Sequence, residues 1–243
     1  MTPNVFPTHQ ALRCLFAAVL LSAAACTPRS SPDRGEEQSQ TKHAQGAHHG
    51  AMPHRFENAE EWAKRFEEPG RDTWQKPDEV VKALALPPDA KVADIGAGTG
   101  YFAARLARVV PQGRVYGVDI EPDMARYLGE RAKREGLSNL EAVLGEPADP
   151  KLPEPVDVVL IVDTYHHIGD RVAYMRRLEK VLRPGGRVVI IDFREESPKG
   201  PPRHHKLSPA RVQGELEAAG YRLAQTHDFL PDQYFLVFLR VAS

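Results

Sequence analysis

The sequence predicts an α/β domain built on a doubly wound, mostly parallel sheet with helices on both faces. Three observations predict it. The run Lys91-Val-Ala-Asp-Ile-Gly-Ala-Gly-Thr-Gly-Tyr-Phe-Ala-Ala-Arg-Leu-Ala-Arg108 reads as strand, glycine turn and helix. The run from Val156 to Val162 is nearly all apolar, as a strand buried on both faces would be. Strand and helix patterns alternate between Lys91 and Phe193, the order that parallel β–α–β units produce.

Residues 1–25 stand apart from that domain. Arg13 precedes the apolar run Cys14-Leu-Phe-Ala-Ala-Val-Leu-Leu21, and Ser-Ala-Ala-Ala-Cys26 follows. One positive charge, a short apolar core and small residues at its end describe a signal peptide. The run is too short to span a bilayer as a helix. The small residues before Cys26 resemble the lipobox of bacterial lipoproteins, whose cysteine is acylated, although Ala23 stands where leucine is usual. The expectation is an exported lipoprotein on the periplasmic side, touching the membrane only through a lipid on Cys26. A plain secretory signal cut near Ala25 is one alternative. A non-functional leader, leaving the protein in the cytoplasm, is another.

Residues 26–55 read as a polar tether with no apolar period, unable to bury enough surface to fold alone. They carry His43, His48, His49 and His54, a cluster of the kind that binds Zn or Cu. A polar tether also tolerates histidine freely, so no metal site is assigned. No cysteine follows Cys26, which rules out a disulfide or thiolate metal site in the domain. With 32 Lys and Arg against 33 Asp and Glu, net charge is −1, and nothing points to a nucleic-acid surface.

The domain is expected over residues 56–243. Phe56 to Phe66 reads as an amphipathic helix with Trp62 and Phe66 on one face, stopped by Pro69-Gly70. Pro77 opens a helix over Asp78 to Leu84, which ends before Pro87-Pro88. Val92 to Ile95 is a buried strand, followed after the glycines by a helix from Tyr101 to Val110. Gln112-Gly113 turns into a second strand, Arg114 to Asp119. Glu121-Pro122 leads into a helix with Met124, Tyr127, Leu128 and Ala132 on one face. Strands follow at Leu140 to Leu144 and Val156 to Val162. Asp170 caps a helix with Val172, Met175, Leu178 and Leu182 inward. Arg183-Pro-Gly-Gly186 reads as a sharp turn into a fifth strand, Arg187 to Phe193. Glu195 to Lys206 is a polar loop long enough to cover a pocket. Ser208-Pro209 starts a helix that Gly220 ends, with Val212, Leu216 and Ala219 on its buried side. Tyr221 to His227 and Gln233 to Val241 are the last strands, joined around Pro231-Asp232.

Gly96, Gly98 and Gly100 remove three Cβ atoms within five residues, so the backbone turns sharply and approaches a ligand closely. The following helix points its free N–H groups into the same space. Such a loop holds a nucleotide-like ligand. Gly98-Thr-Gly100-Tyr-Phe-Ala103 fits the dinucleotide pattern G-x-G-x-x-G/A, with Asp119 about 20 residues on. The wider run Val-Ala-Asp94-Ile-Gly96-Ala-Gly98-Thr-Gly100 is more specific. It resembles the first motif of class I S-adenosylmethionine-dependent methyltransferases, with an acid two residues before the first glycine. Val115-Tyr-Gly-Val-Asp119-Ile-Glu-Pro-Asp-Met124 resembles that family's next motif. Leu182-Arg-Pro-Gly-Gly186 resembles a third, and the resemblance covers residues 56–243.

That resemblance implies a Rossmann-like sheet of seven strands with the last antiparallel. It implies S-adenosylmethionine as cofactor, held by Asp94, Gly96, Gly98, Gly100, Tyr101, Asp119, Ile120, Glu146 and Asp163. Asp119 would accept from the ribose hydroxyls and Ile120 would lie against the adenine face. Glu146, in Gly145-Glu146, stands where the family often has Gly-Asp, with simple solvent exposure as the other reading. Helices ahead of the first strand would pack over the cofactor, making Trp74 and Gln75 candidate walls, or core residues. The tip after the fourth strand, Asp163-Thr-Tyr-His166-His167, would flank the methyl donor. His166 and His167 are candidate catalytic bases toward a small-molecule acceptor at O, N or C, because imidazole titrates near neutrality. Two alternatives remain open: an NAD(P)-dependent oxidoreductase, and a non-catalytic exported binding module that retains the fold. Nothing in the sequence sets the oligomeric state or names the acceptor.

Overall fold

The structure is a computed structural model and describes residues 58–241. The leader, Cys26, the tether and Phe56 lie outside the described residues.

Seven strands make one sheet in the order β3-β2-β1-β4-β5-β7-β6. They are β1 Lys91–Ile95, β2 Arg114–Asp119, β3 Leu140–Leu144, β4 Val156–Val162, β5 Leu182–Phe193, β6 Tyr221–His227 and β7 Gln233–Arg240. β1 to β5 pair in parallel, and β7 runs antiparallel between β5 and β6. Chain order reverses between β1 and β4, so connections leave their ends in opposite directions and open a crevice there.

The helices are α1 Ala59–Phe66, α2 Arg71–Gln75, α3 Pro77–Ala83, α4 Ala103–Val109, α5 Pro122–Arg134, α6 Arg171–Leu178 and α7 Pro209–Ala218. Alternate strand residues fall into two cores. Val92, Leu160, Val189 and Val237 pack with α3, α4 and α5 on one face. Ala93, Ile161, Ile190 and Phe238 pack with α6 and α7 on the other. This period of two on both faces is why the central strands read as continuous apolar runs. α5 buries Met124, Leu128 and Ala132, one residue every four, and opens on Pro122. Asp170 caps α6 by accepting from the Ala173 N–H at 3.1 Å, and Ser208 caps α7 by accepting from Arg211 at 3.3 Å.

Three expectations need correction. The first helix begins at Ala59 within the described residues. The helix after the glycine loop starts at Ala103, not Tyr101, because the Gly100 N–H is spent on a tight turn to the Ala97 carbonyl at 2.9 Å. Arg183–Gly186 is not a turn ahead of β5. Leu182 already pairs with Val156 and Arg187 pairs with Val158, so these residues bulge inside the strand, where Gly185 takes φ 78°. Among the described residues, no helix is long and apolar enough to cross a membrane.

Candidate functional site

The crevice is built from the ends of β1, β2 and β4. Gly96 has φ 75°, and a Cβ on it would stand 2.2 Å from the Thr164 hydroxyl, so this crossing of loop and β4 tip requires glycine. Gly98 has φ 54°, and its N–H donates to Asp119 Oδ2 at 2.9 Å. Asp119 Oδ1 accepts from the Glu121 N–H at 3.0 Å. The carboxylate therefore spans the glycine loop and the start of α5. Burial raises its pKa, while those N–H groups oppose the shift.

Next to Asp119 the surface is apolar and open. Ile120 is 52% exposed, and so is Leu144, which pairs across from Asp119 in the β2–β3 register. Four large hydrophobic residues are exposed among those described, and the two most exposed flank one carboxylate. A flat apolar ring with an attached diol fits that pair of features. α1 covers the loop from above: the Phe66 ring lies against Gly98, and Glu67 binds both Arg131 and Thr99.

Asp94, one residue before the end of β1, is 3% exposed. Burial pushes its carboxyl up to about 7, nearby Asp119 adds to the shift, and the Ala103 backbone N–H and Arg71 oppose it. Tyr101 is buried by its own side chain's partners. Its hydroxyl donates to Asp72, and the guanidinium groups of Arg71 and Arg105 lie 3.9 and 4.2 Å from its ring centre. Glu146 is exposed and pairs with Lys151 at 3.2 Å.

At the β4 tip, Asp163 takes φ 54°, uncommon for a residue with a Cβ. Gln75 Nε2 donates to Asp163 Oδ2 at 2.9 Å and to Gln233 Oε1 at 3.0 Å, and Gln233 donates to Asp163 Oδ1. Burial pushes Asp163 up to about 6, and Asp192 adds to it, while Arg71, Gln75 and His166 oppose the rise. His166 is buried, with Nδ1 at 2.8 and 2.9 Å from the two carboxylate oxygens of Asp192. His167 is half-buried with its ring 4.2 Å from that of His166. Trp74 leans on Phe193 at 5.8 Å, and the Lys199 ammonium sits 5.6 Å over the indole. The loop after β5 thus reaches back over α2.

Sequence reasoning passed over Arg71, Leu144, Asp192 and Gln233. Asp192 had a signal: it is an acid near the end of the apolar run Val188-Val-Ile-Ile-Asp-Phe193. The others had none, because their roles depend on partners far away in the chain. A cavity of about 780 Å³ lies between α3, α4 and the α1–α2 connection, lined by Glu67, Asp72, Val81, Tyr101, Arg105 and Arg131 among others. It lies away from the β4 tip and holds neither Asp119 nor His166. Among the described residues, no group of three or more His, Cys, Asp or Glu is placed to hold a metal.

Known proteins share this fold. The profile of the methyltransferase domain family matches residues 86–226. The chain belongs to that family. A SAM-dependent methyltransferase from Aquifex aeolicus superposes with a TM-score of 0.70 at 28% identity, covering 76% of this chain and 99% of that one. Magnesium protoporphyrin IX methyltransferase from Synechocystis, solved with bound SAH, shares the fold at 21% identity and TM-score 0.55, over 70% of this chain and 83% of its own. By sequence, the demethylmenaquinone methyltransferase of Listeria welshimeri is 28% identical over 49% of this chain and 50% of its own length. Nocamycin O-methyltransferase of Saccharothrix syringae is 34% identical over 58% and 50%. The chain spans about half the length of these curated relatives. The seven-stranded Rossmann-like sheet with its antiparallel β7 is the fold of this family.

Proposed function

We propose that this methyltransferase moves the methyl group of S-adenosylmethionine to a small-molecule acceptor that gives up a proton, at a hydroxyl, amine or activated carbon. One observation carries the reading: Asp119 is held across the glycine loop beside open apolar Ile120 and Leu144. That is a cradle for an adenosine. The Asp119 carboxylate, held by the Gly98 N–H with exposed Ile120 and Leu144 beside it, is the donor and apolar set that fits the cofactor's ribose and adenine.

When bound, S-adenosylmethionine supplies a methyl carbon made electrophilic by its sulfonium. The chain's residues then have few tasks: to align the acceptor, exclude water and take a proton. Asp192 accepts from His166 Nδ1, which leaves Nε2 as the basic nitrogen. His166 is the base of this proposal, and His167 beside it is the second candidate. Trp74, Phe193 and the loop carrying Lys199 wall the acceptor side. No covalent nucleophile is required. Export by residues 1–25 and acylation of Cys26 remain part of the proposal, and the mass of the mature N-terminal peptide tests them.

The enzymatic test gives the full chain methyl-labelled S-adenosylmethionine and a panel of phenols, quinols and amines. Label transfer with release of S-adenosylhomocysteine is expected for one acceptor class. Binding of NADH, with none of S-adenosylmethionine, would replace the reading with an oxidoreductase. Tight cofactor binding with no transfer to any class would favour a non-catalytic binding module.

A further inference from the structure

We propose that Glu215 on α7 is a positioning residue for the reaction: by holding Tyr165 and Arg171, it fixes both ends of the turn that carries His166. The inference rests on the reading of His166 as the base. It adds to the site a residue of α7, a helix that packs on α6, β6 and β7.

His166 sits in the one-turn 3₁₀ helix Tyr165–His167. Within the turn, the His167 N–H donates to the Thr164 carbonyl at 2.9 Å and the Ile168 N–H to the Tyr165 carbonyl at 3.2 Å. So short a 3₁₀ turn has little rigidity of its own. Two further ties, one on each side of His166, lead to a single carboxylate. The Tyr165 hydroxyl donates to Glu215 Oε2 at 2.9 Å. Arg171 Nη1 donates to the Ile168 carbonyl at 3.2 Å, while Nε and Nη2 of the same guanidinium donate to Glu215 at 2.6 and 2.9 Å.

Glu215 follows buried Val212 by three residues, which puts it on the packed side of α7. The Arg171 and Glu215 side chains are 11% and 17% exposed. All the lone pairs of the carboxylate are used: Oε2 accepts from Tyr165 and Arg171, and Oε1 accepts from Arg171 and from Arg211 Nε at 3.0 Å. The two-pronged bond to Arg171 fixes direction as well as distance. Burial raises the pKa of the Tyr165 hydroxyl and Glu215 adds to the rise, so the phenol stays a donor. Burial opposes the charge on Glu215, but bonds from Arg171 and Arg211 hold its carboxyl below the ordinary value, so it stays an acceptor. The brace is therefore constant near neutral pH. A buried ion pair adds little stability over an apolar contact of the same volume. What this one supplies is placement. β5 fixes the His166 ring through Asp192, and α7 fixes the backbone on either side of it through Glu215.

The test uses the full chain and two readouts: nitrogen-15 spectra of the His166 imidazole, assigned by their loss in His166→Gln, and label-transfer kinetics with the acceptor found in the panel above. The wild type should show the Nδ1–H tautomer that Asp192 selects. Glu215→Ala should give mixed tautomers and lower kcat by roughly 10- to 100-fold, the range a small misplacement costs. KM for S-adenosylmethionine should stay within about twofold. Glu215→Gln still accepts from Tyr165 and should recover part of the loss. Arg211→Ala removes an exposed contact to the same carboxylate but none to the turn, and should leave the tautomer unchanged and kcat within about twofold. Tyr165→Phe removes the one hydroxyl and decides the case if melting curves show that Glu215→Ala does not fold. It should act in the same direction, more weakly. A Glu215→Ala chain whose His166 keeps its tautomer overturns the proposal, whatever its rate. So does a changed tautomer with an unchanged kcat, or an equal effect from Arg211→Ala. Absence of transfer by the wild type instead removes the methyl-transfer reading, and the spectra still decide whether Glu215 positions His166.

Discussion

Asp192 Oδ2 lies 2.8 Å from His166 Nδ1, joining the turn after β4 to the end of the adjacent strand β5. With Asp192 accepting from Nδ1, the proposal gives Nε2 the task of taking the acceptor's proton. Asp192→Asn and His166→Gln are therefore expected to lower kcat by roughly 10²- to 10⁴-fold, the usual worth of a general base. Affinity for S-adenosylhomocysteine should hold within about twofold, because neither residue is placed on the cofactor. Single-turnover rates and calorimetry check this. An unchanged rate in both variants removes His166 from the chemistry.

Gly96→Ala puts a methyl group 2.2 Å from the Thr164 hydroxyl, at a φ of 75° that alanine adopts at a cost. The loop must shift. We expect about 1–3 kcal/mol lost in urea denaturation, together with cofactor binding. Gly136→Ala also has positive φ but meets nothing within 4 Å, so it should cost only the backbone strain.

The buried carboxylate of Asp94 gives the protein a pH signature. Its pKa is raised from 3.8 to about 7 in the folded chain, so the folded state holds its proton where the unfolded state has lost it. Stability from this group is full below the unfolded pKa. It falls as pH climbs from about 4 to about 7, and is flat above. Asp94→Asn removes that titration. The difference in unfolding free energy between wild type and variant should thus move in the variant's favour across this range, by a few kcal/mol at most. Urea denaturation at pH 5, 6, 7 and 8 checks it. A difference independent of pH would mean that Asp94 titrates alike in both states.

Gln75 makes three contacts that a short polar helix does not advertise. Gln75→Ala leaves Arg71 Nε and one Asp163 oxygen without their partner in a buried place. The expected cost is about 1–3 kcal/mol. Gln75→Glu should cost more at pH 8 than at pH 5, since it sets a second carboxylate against Asp163. Equal stability of Gln75→Ala and wild type would show that the clamp adds nothing.

How far the sequence reached depends on how local each signal is. β2, β3 and β4 lie at the bounds their apolar runs predict, because burial on both faces writes a continuous pattern. The glycine loop and Asp119 were legible because a loop and a strand end 21 residues apart form the contact. The clamp on Asp163 was not. Gln75 lies 88 residues away and Gln233 lies 70 residues away; Gln75 could be read as a wall or core residue, but its partner on the β4 tip could not be read at all. The bulge in β5 was hidden for a related reason. Arg183-Pro-Gly-Gly186 carries turn residues, and only pairing of Leu182 with Val156 shows that the strand had already begun.

The most direct measurement is calorimetric titration of the full chain with S-adenosylhomocysteine, beside Asp119→Ala. Micromolar binding by the wild type, weakened at least about tenfold by a substitution that leaves the melting temperature in place, is the predicted result. Binding that is as tight in Asp119→Ala, or NADH binding in place of S-adenosylhomocysteine, would contradict it.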